Sequence, residues 1–143
     1  MTGLTDYLYK TTVHNTDGLD GVAYVEGDRG LAVVTSNPLK DTPGTNPEEL
    51  FGLSITTCLN ATIQSLLRGR GYTYKSRVSA DVEMRRESKE VGYYFQVTIT
   101  ASIEGMDLSE AERLIDASEK RCPVAKLTKG SSTLTVKTVP YTS

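Results

Sequence analysis

The sequence predicts an α+β domain, helices against an antiparallel sheet, and three observations predict it. Residues 78–85 and 93–103 alternate apolar and polar side chains with the period of two of half-buried strands. Residues 50–67 are apolar or small on nearly every face of a helix, which marks a buried one. A second, amphipathic stripe (Leu108, Ala111, Ile115, Ser118, Cys122) separates those strands from a last strand-like run at 132–139. At 143 residues with 38% hydrophobic content, the chain predicts one domain able to bury a core without disulfide staples.

The first forty residues read as short strands broken by turn chemistry. Thr11 to His14 is followed by the cluster Thr16-Asp17-Gly18-Leu19-Asp20-Gly21. Val22 to Glu26 and Leu31 to Thr35 then flank Gly27-Asp28-Arg29-Gly30, a hairpin signal. Pro38, Pro43 and Gly44 punctuate a loop.

A helix start follows, with Asn46 as N-cap, Pro47 at the first helical position, and Glu48 and Glu49 where a carboxylate complements the dipole. Arg68 to Gly71 predict its end. Asp107 with Glu110, or Ser109 with Glu112, starts the second helix. Pro123 breaks it, and a short helix restarts with Cys122 at its cap. The long helix is too apolar to leave its back in water, and a second copy of the chain is the simplest extra cover.

Several function classes are excluded by inventory. Sixteen cations against eighteen acids, scattered along the chain, leave no electrostatic footprint for nucleic acid. One histidine (His14) and two cysteines (Cys58, Cys122) cannot build a zinc site at motif spacing, and no phosphate-loop, dinucleotide or serine-nucleophile motif occurs. His14 reads as a solvated edge-strand residue. No signal-peptide pattern and no 18-residue apolar run is present, which predicts a cytoplasmic protein that neither spans nor binds a membrane.

Thiol and carboxylate chemistry remain. Cys58, mid-helix, reads as a small buried hydrophobe or as a nucleophile. Cys122 sits at a helix cap near Lys120, Arg121 and Lys126, an environment expected to favour the thiolate. Together they are consistent with an attacking and a resolving thiol. Glu48 lies ten residues before Cys58, about 15 Å along a straight helix and roughly 80° round it, so the two cannot meet on one unbroken helix. Either that helix breaks or another subunit completes the site.

Gly44-Thr45-Asn46-Pro47-Glu48-Glu49-Leu50-Phe51, Cys58 ten residues after Glu48, and Gly105-Met106-Asp107 leading into Arg121-Cys122-Pro123-Val124 resemble the OsmC/Ohr family of thiol-dependent peroxidases. The resemblance implies an intertwined homodimer, with antiparallel sheets wrapped around two central helices. It implies reduction of organic hydroperoxides, or in some branches hydrogen peroxide, in oxidative-stress defence. By the same resemblance Cys58 is the peroxidatic cysteine, Cys122 the resolving cysteine and Glu48 the orienting carboxylate. The resemblance also implies that no cofactor is bound and that an external dithiol of dihydrolipoyl or other type is the reductant.

One position departs from the pattern. The family's organic-hydroperoxide branch carries an arginine in the turn matching residues 16–21, and here Leu19 stands there. Leucine can neither favour a thiolate nor donate to a peroxide. Arg29 and Lys40 are the nearest candidate cations in sequence. The departure also keeps open a non-catalytic dimer that binds a small apolar ligand or senses redox state.

Overall fold

The period-two stretches become the two longest strands of the computed structural model, which describes residues 6–27, 30–89 and 91–142. The chain divides into two compact units, Met1–Pro47 and Glu48–Ser143. In the first, β1 (Val13–Asn15), β2 (Val22–Val25) and β3 (Ala32–Val34) form an antiparallel meander in that order. The turn between β1 and β2 is held by side chains. Asn15 both accepts from the Gly18 N–H (2.7 Å) and donates to its carbonyl (3.0 Å), and the Asp17 carboxylate accepts from the Val22 N–H (3.0 Å). The buried Thr35 hydroxyl donates to the Gly18 carbonyl from the far end of β3. Such local side-chain bonds are what Asn, Asp and Thr contribute to turns.

The second unit holds α1 (Pro47–Gly69), β4 (Ser76–Arg86), β5 (Tyr93–Ile103), α2 (Leu108–Glu119), α3 (Pro123–Leu127) and β6 (Leu134–Thr138). β4 and β5 pair antiparallel so that Val78, Ala80, Val82 and Met84 stand opposite Ala101, Ile99, Val97 and Phe95, which places one apolar row beside another. Ile55, Leu59, Ile63 and Leu67, each four residues after the last, lie fully buried along α1. With Ala111, Leu114 and Ile115 of α2 and the inward row of β5 they form the core. Burying each of the four α1 side chains contributes about 1.5–3 kcal/mol, as an upper estimate. By length and composition alone α1 could cross a membrane, but this row is spent on the core.

The caps follow the sequence. Asp107 caps α2, its carboxylate accepting from the Glu110 N–H at 2.9 Å and holding its own pKa down in doing so. Gly71, at φ +82°, closes α1, with the Tyr72 N–H on the Leu67 carbonyl and the Gly71 N–H on that of Arg68.

The expected antiparallel sheets need one correction: β6 runs parallel to β5. α2 and α3 occupy the connection and make it a crossover, and a crossover returns the chain in the direction it left.

Gly44 is a constrained backbone position in the first unit, by conformation and by space together. Its φ of +139° disfavours a side chain, and a Cβ there would meet the Ser36 Cβ at 2.9 Å and the Val34 carbonyl oxygen at 3.0 Å. Gly44→Ala is expected to lower unfolding stability by roughly 1–3 kcal/mol, measured by urea denaturation.

Candidate functional site

Two free thiols meet inside the second unit. Cys58 sits on α1 one residue before the buried Leu59, so its side chain lies at the edge of the buried row, half-buried against the core. Cys122 is fully buried at the N-cap of α3, its N–H donating to the Ser118 carbonyl at 2.9 Å. The two thiols lie close enough for Cys58 to act on the Cys122 thiol, although 64 positions separate them.

The threonines around Cys58 bond inward. Thr56 donates to the Gly52 carbonyl (2.8 Å) and Thr62 to the carbonyl of Cys58 itself (3.0 Å). Polar groups satisfied in this way let a threonine-rich turn pass through an apolar setting. Asn60 ties α1 to the start of β4, accepting from the Ser76 hydroxyl at 2.6 Å and donating to the Ser76 carbonyl at 3.4 Å. Hydrophobic packing is non-directional, so this two-way polar clamp fixes the rotation of α1 and hence the bearing of Cys58. A single Asn within an apolar helix was its one signal in sequence.

The electrostatics of Cys122 reverse the sequence expectation. Burial pushes its thiol above the usual value, and the charge and hydrogen bond of Cys58 push the same way. The Ala125 and Val124 N–H groups face the sulfur and pull it down, without completing a side-chain capping bond. Desolvation wins. Lys120, Arg121 and Lys126 are exposed to water, where a cation acts weakly on a buried group.

Glu48 does not join the thiols within this unit. It lines a shallow groove with Gly52, Thr56, Ala80 and Val82. α1 is unbroken from Pro47 to Gly69, which leaves Glu48 about 15 Å up the helix from Cys58. In the first unit, Leu19 is half-buried in its turn and Lys40 is exposed, while Arg29 lies outside the described residues. His14 pairs with Glu26 at 3.1 Å and leans on Tyr24. Among the described residues no group of three or more His, Cys, Asp or Glu side chains could hold a metal ion.

The model of the OsmC-like protein family matches residues 39–137, more than half the chain and both thiols. The chain belongs to the OsmC-like family. Among curated OsmC-like relatives, the organic hydroperoxide resistance protein OhrA of Bacillus subtilis (strain 168) is 28% identical over 91% of this chain and 95% of its own length. The crystal structure of a putative redox protein from Lactobacillus casei ATCC 334 matches with a TM-score of 0.87 and 38% identity, covering 96% of this chain and 95% of that one. The organic hydroperoxide resistance protein OhrB of Bacillus subtilis shares the fold at a TM-score of 0.82 and 23% identity, over 94% of this chain and all of its own.

The raised Cys122 thiol sets a pH dependence. A group held neutral by the fold contributes stability that is present below its ordinary value of 9.0 and lost as pH rises through the raised one. Unfolding free energy is expected to fall as pH rises above about 9, by at most about 1.4 kcal/mol per unit from this group. Urea titrations of wild type and Cys122→Ala test this, the variant giving the flatter profile.

Proposed function

We propose that the protein is a thiol-dependent peroxidase acting on organic hydroperoxides. The contact between Cys58 and Cys122 carries the proposal. A chain with only two cysteines brings them together from a central helix and a distant cap, and gives them unequal environments. The relatives' names point to the same substrate class.

Cys58, the half-buried thiol, attacks as thiolate. Its sulfur bonds to the distal peroxide oxygen, the O–O bond breaks, and the alkoxide takes a proton and leaves as alcohol. Cys122, kept as a thiol by burial, then attacks the sulfenic sulfur, and water leaves as the disulfide forms. A dithiol restores both thiols and is itself oxidised to a disulfide. The apolar neighbours Ile55 and Leu59 suit an organic substrate over hydrogen peroxide.

Glu48 serves a site on a second copy of the chain. An unbroken α1 leaves it no route to its own Cys58, and Leu53 stands 63% exposed one turn along the same helix, as an apolar residue awaiting cover does. In a homodimer of this kind each carboxylate orients the partner's site.

A second reading, a ligand-binding dimer without turnover, rests on Leu19 in place of the family's arginine. Consumption of cumene hydroperoxide with dithiothreitol separates the two. Turnover is expected in wild type, background rates in Cys58→Ser, and a trapped Cys58 sulfenic acid in Cys122→Ser. A wild type without turnover leaves the binding reading.

Mixed dimers test the placement of Glu48. A Cys58→Ser copy paired with a Glu48→Gln copy is expected to regain about half the wild-type activity, because one of the two sites is intact only if the carboxylate acts across the interface. No recovery places Glu48 elsewhere.

A further inference from the structure

A cleft of 500 Å³ opens at the C-terminal end of α1, away from the thiols. Local sequence builds its walls. Gly71, in the left-handed region, turns the chain back, and the Tyr72 N–H returns to the Leu67 carbonyl. Tyr72 and Tyr74, two positions apart in the run leading into β4, fall on one side of the chain. Their rings stack with centroids 5.1 Å apart and planes 19° from parallel. Gly105 backs the second ring. A Cβ there would come within 2.9 Å of the Tyr74 Cε1, so the ring lies against bare backbone and has little room to turn. Tyr141 adds a third ring from the C-terminal tail. That tail is tied down by the Arg77 guanidinium, which donates to the Thr142 carbonyl at 3.2 Å, and by the Val139 N–H on the Ala101 carbonyl at 2.9 Å.

The charged residues that line this aromatic cleft are Arg68 and Lys75, both exposed. Among the described residues no carboxylate lies within ion-pair distance of either. Glu104, whose N–H donates to the Lys75 carbonyl, lines the neighbouring groove instead. Stacked rings offer a flat face to another aromatic ring. The arginine fork matches a carboxylate in two parallel bonds, and the lysine adds charge without fixed direction. A neutral aromatic would leave both cations unused, and an aliphatic acid would leave the rings unused.

We propose that this cleft binds a planar aromatic carboxylic acid, its ring against the tyrosine pair and its carboxylate between Arg68 and Lys75. The inference goes beyond the peroxidase reading and does not depend on it. Leu67, which also lines the cleft, lies nine residues after Cys58, about 14 Å along an unbroken helix, so the occupant is not positioned to react with the thiols. Among the described residues no thiol, imidazole or carboxylate lines the cleft, which suits holding a ligand rather than transforming it.

Calorimetric titration with 2-naphthoate tests the proposal, with neutral 2-naphthylmethanol and non-planar cyclohexanecarboxylate as comparisons. 2-Naphthoate is expected to bind one site per chain with a Kd on the order of 100 µM, as suits a molecule of that size. Each comparison compound is expected to bind about tenfold more weakly, one lacking the charge-assisted bonds and the other the stacking. Arg68→Gln/Lys75→Gln, with its circular dichroism spectrum unchanged, is expected to weaken 2-naphthoate binding about tenfold and leave 2-naphthylmethanol binding as it was. A basic groove beside α3, with Lys120, Lys126 and Lys129 on its rim, is the competing location. Lys126→Gln/Lys129→Gln is expected to bind 2-naphthoate as wild type does. Absence of saturable binding at millimolar 2-naphthoate overturns the proposal, as does equal affinity for the neutral or the non-planar compound. Loss of binding in the α3 variant, with Arg68→Gln/Lys75→Gln unaffected, overturns it as well. The comparison of the three compounds needs wild type alone, so it decides the proposal without relying on the fold of any variant.

Discussion

The four-residue repeat of Ile55, Leu59, Ile63 and Leu67 is the constraint on which the site depends. A row spaced strictly by four turns slowly around the helix, and only one rotation of α1 presents all four to the apolar rows of β4 and β5. That rotation puts Cys58 at the edge of the buried row, reachable from Cys122 and still half open. The Asn60–Ser76 clamp holds the same rotation by directional bonds. Core packing and thiol placement are therefore one requirement met twice, and a slip of α1 would lose both.

The division of labour proposed for the thiols follows from burial. A thiol with no exposed surface resists ionisation even at a helix cap, because the few amides of a five-residue helix do not offset desolvation. Such a thiol is a poor first nucleophile. In the proposed peroxidase cycle it would be a suitable second one, attacking only after a sulfenic acid has formed next to it, where proximity replaces intrinsic reactivity. The half-open Cys58 is the more accessible of the two.

Much of this was legible in the sequence because it is written locally. The start of α1 at Pro47, the cap at Asp107, the cap at Cys122 before Pro123, and the alternation in β4 and β5 each sit within a few residues of their cause. What was not legible depends on the whole connection. The direction of β6 is set by two intervening helices, not by its own five residues. The Asn60–Ser76 clamp spans sixteen positions, and the lysines at 120, 126 and 129 look scattered along the chain until a groove gathers them. The Cys122 thiol shows the same limit. Its cap and its charges can be read from neighbours, but desolvation is a property of everything packed around it.

The unbroken α1 bears on the role proposed for Glu48. Its first turn holds Glu48 and its middle holds Cys58, and the rigidity that fixes the thiol keeps the carboxylate away from it. Bending the helix would bring the two closer only by breaking the repeat that packs on the sheet, at a cost of several kcal/mol of buried side chains. In the proposed homodimer a second copy avoids that cost, because a helix rigid in each chain would present its first turn to the other's middle. The same logic bears on Leu19. Leu19 lies in the first unit, whereas Cys58 and Cys122 both lie in the second. On the proposed peroxidase reading, leucine at that position bears on the charge the reaction would meet and leaves the pair proposed to carry the electrons to the second unit alone.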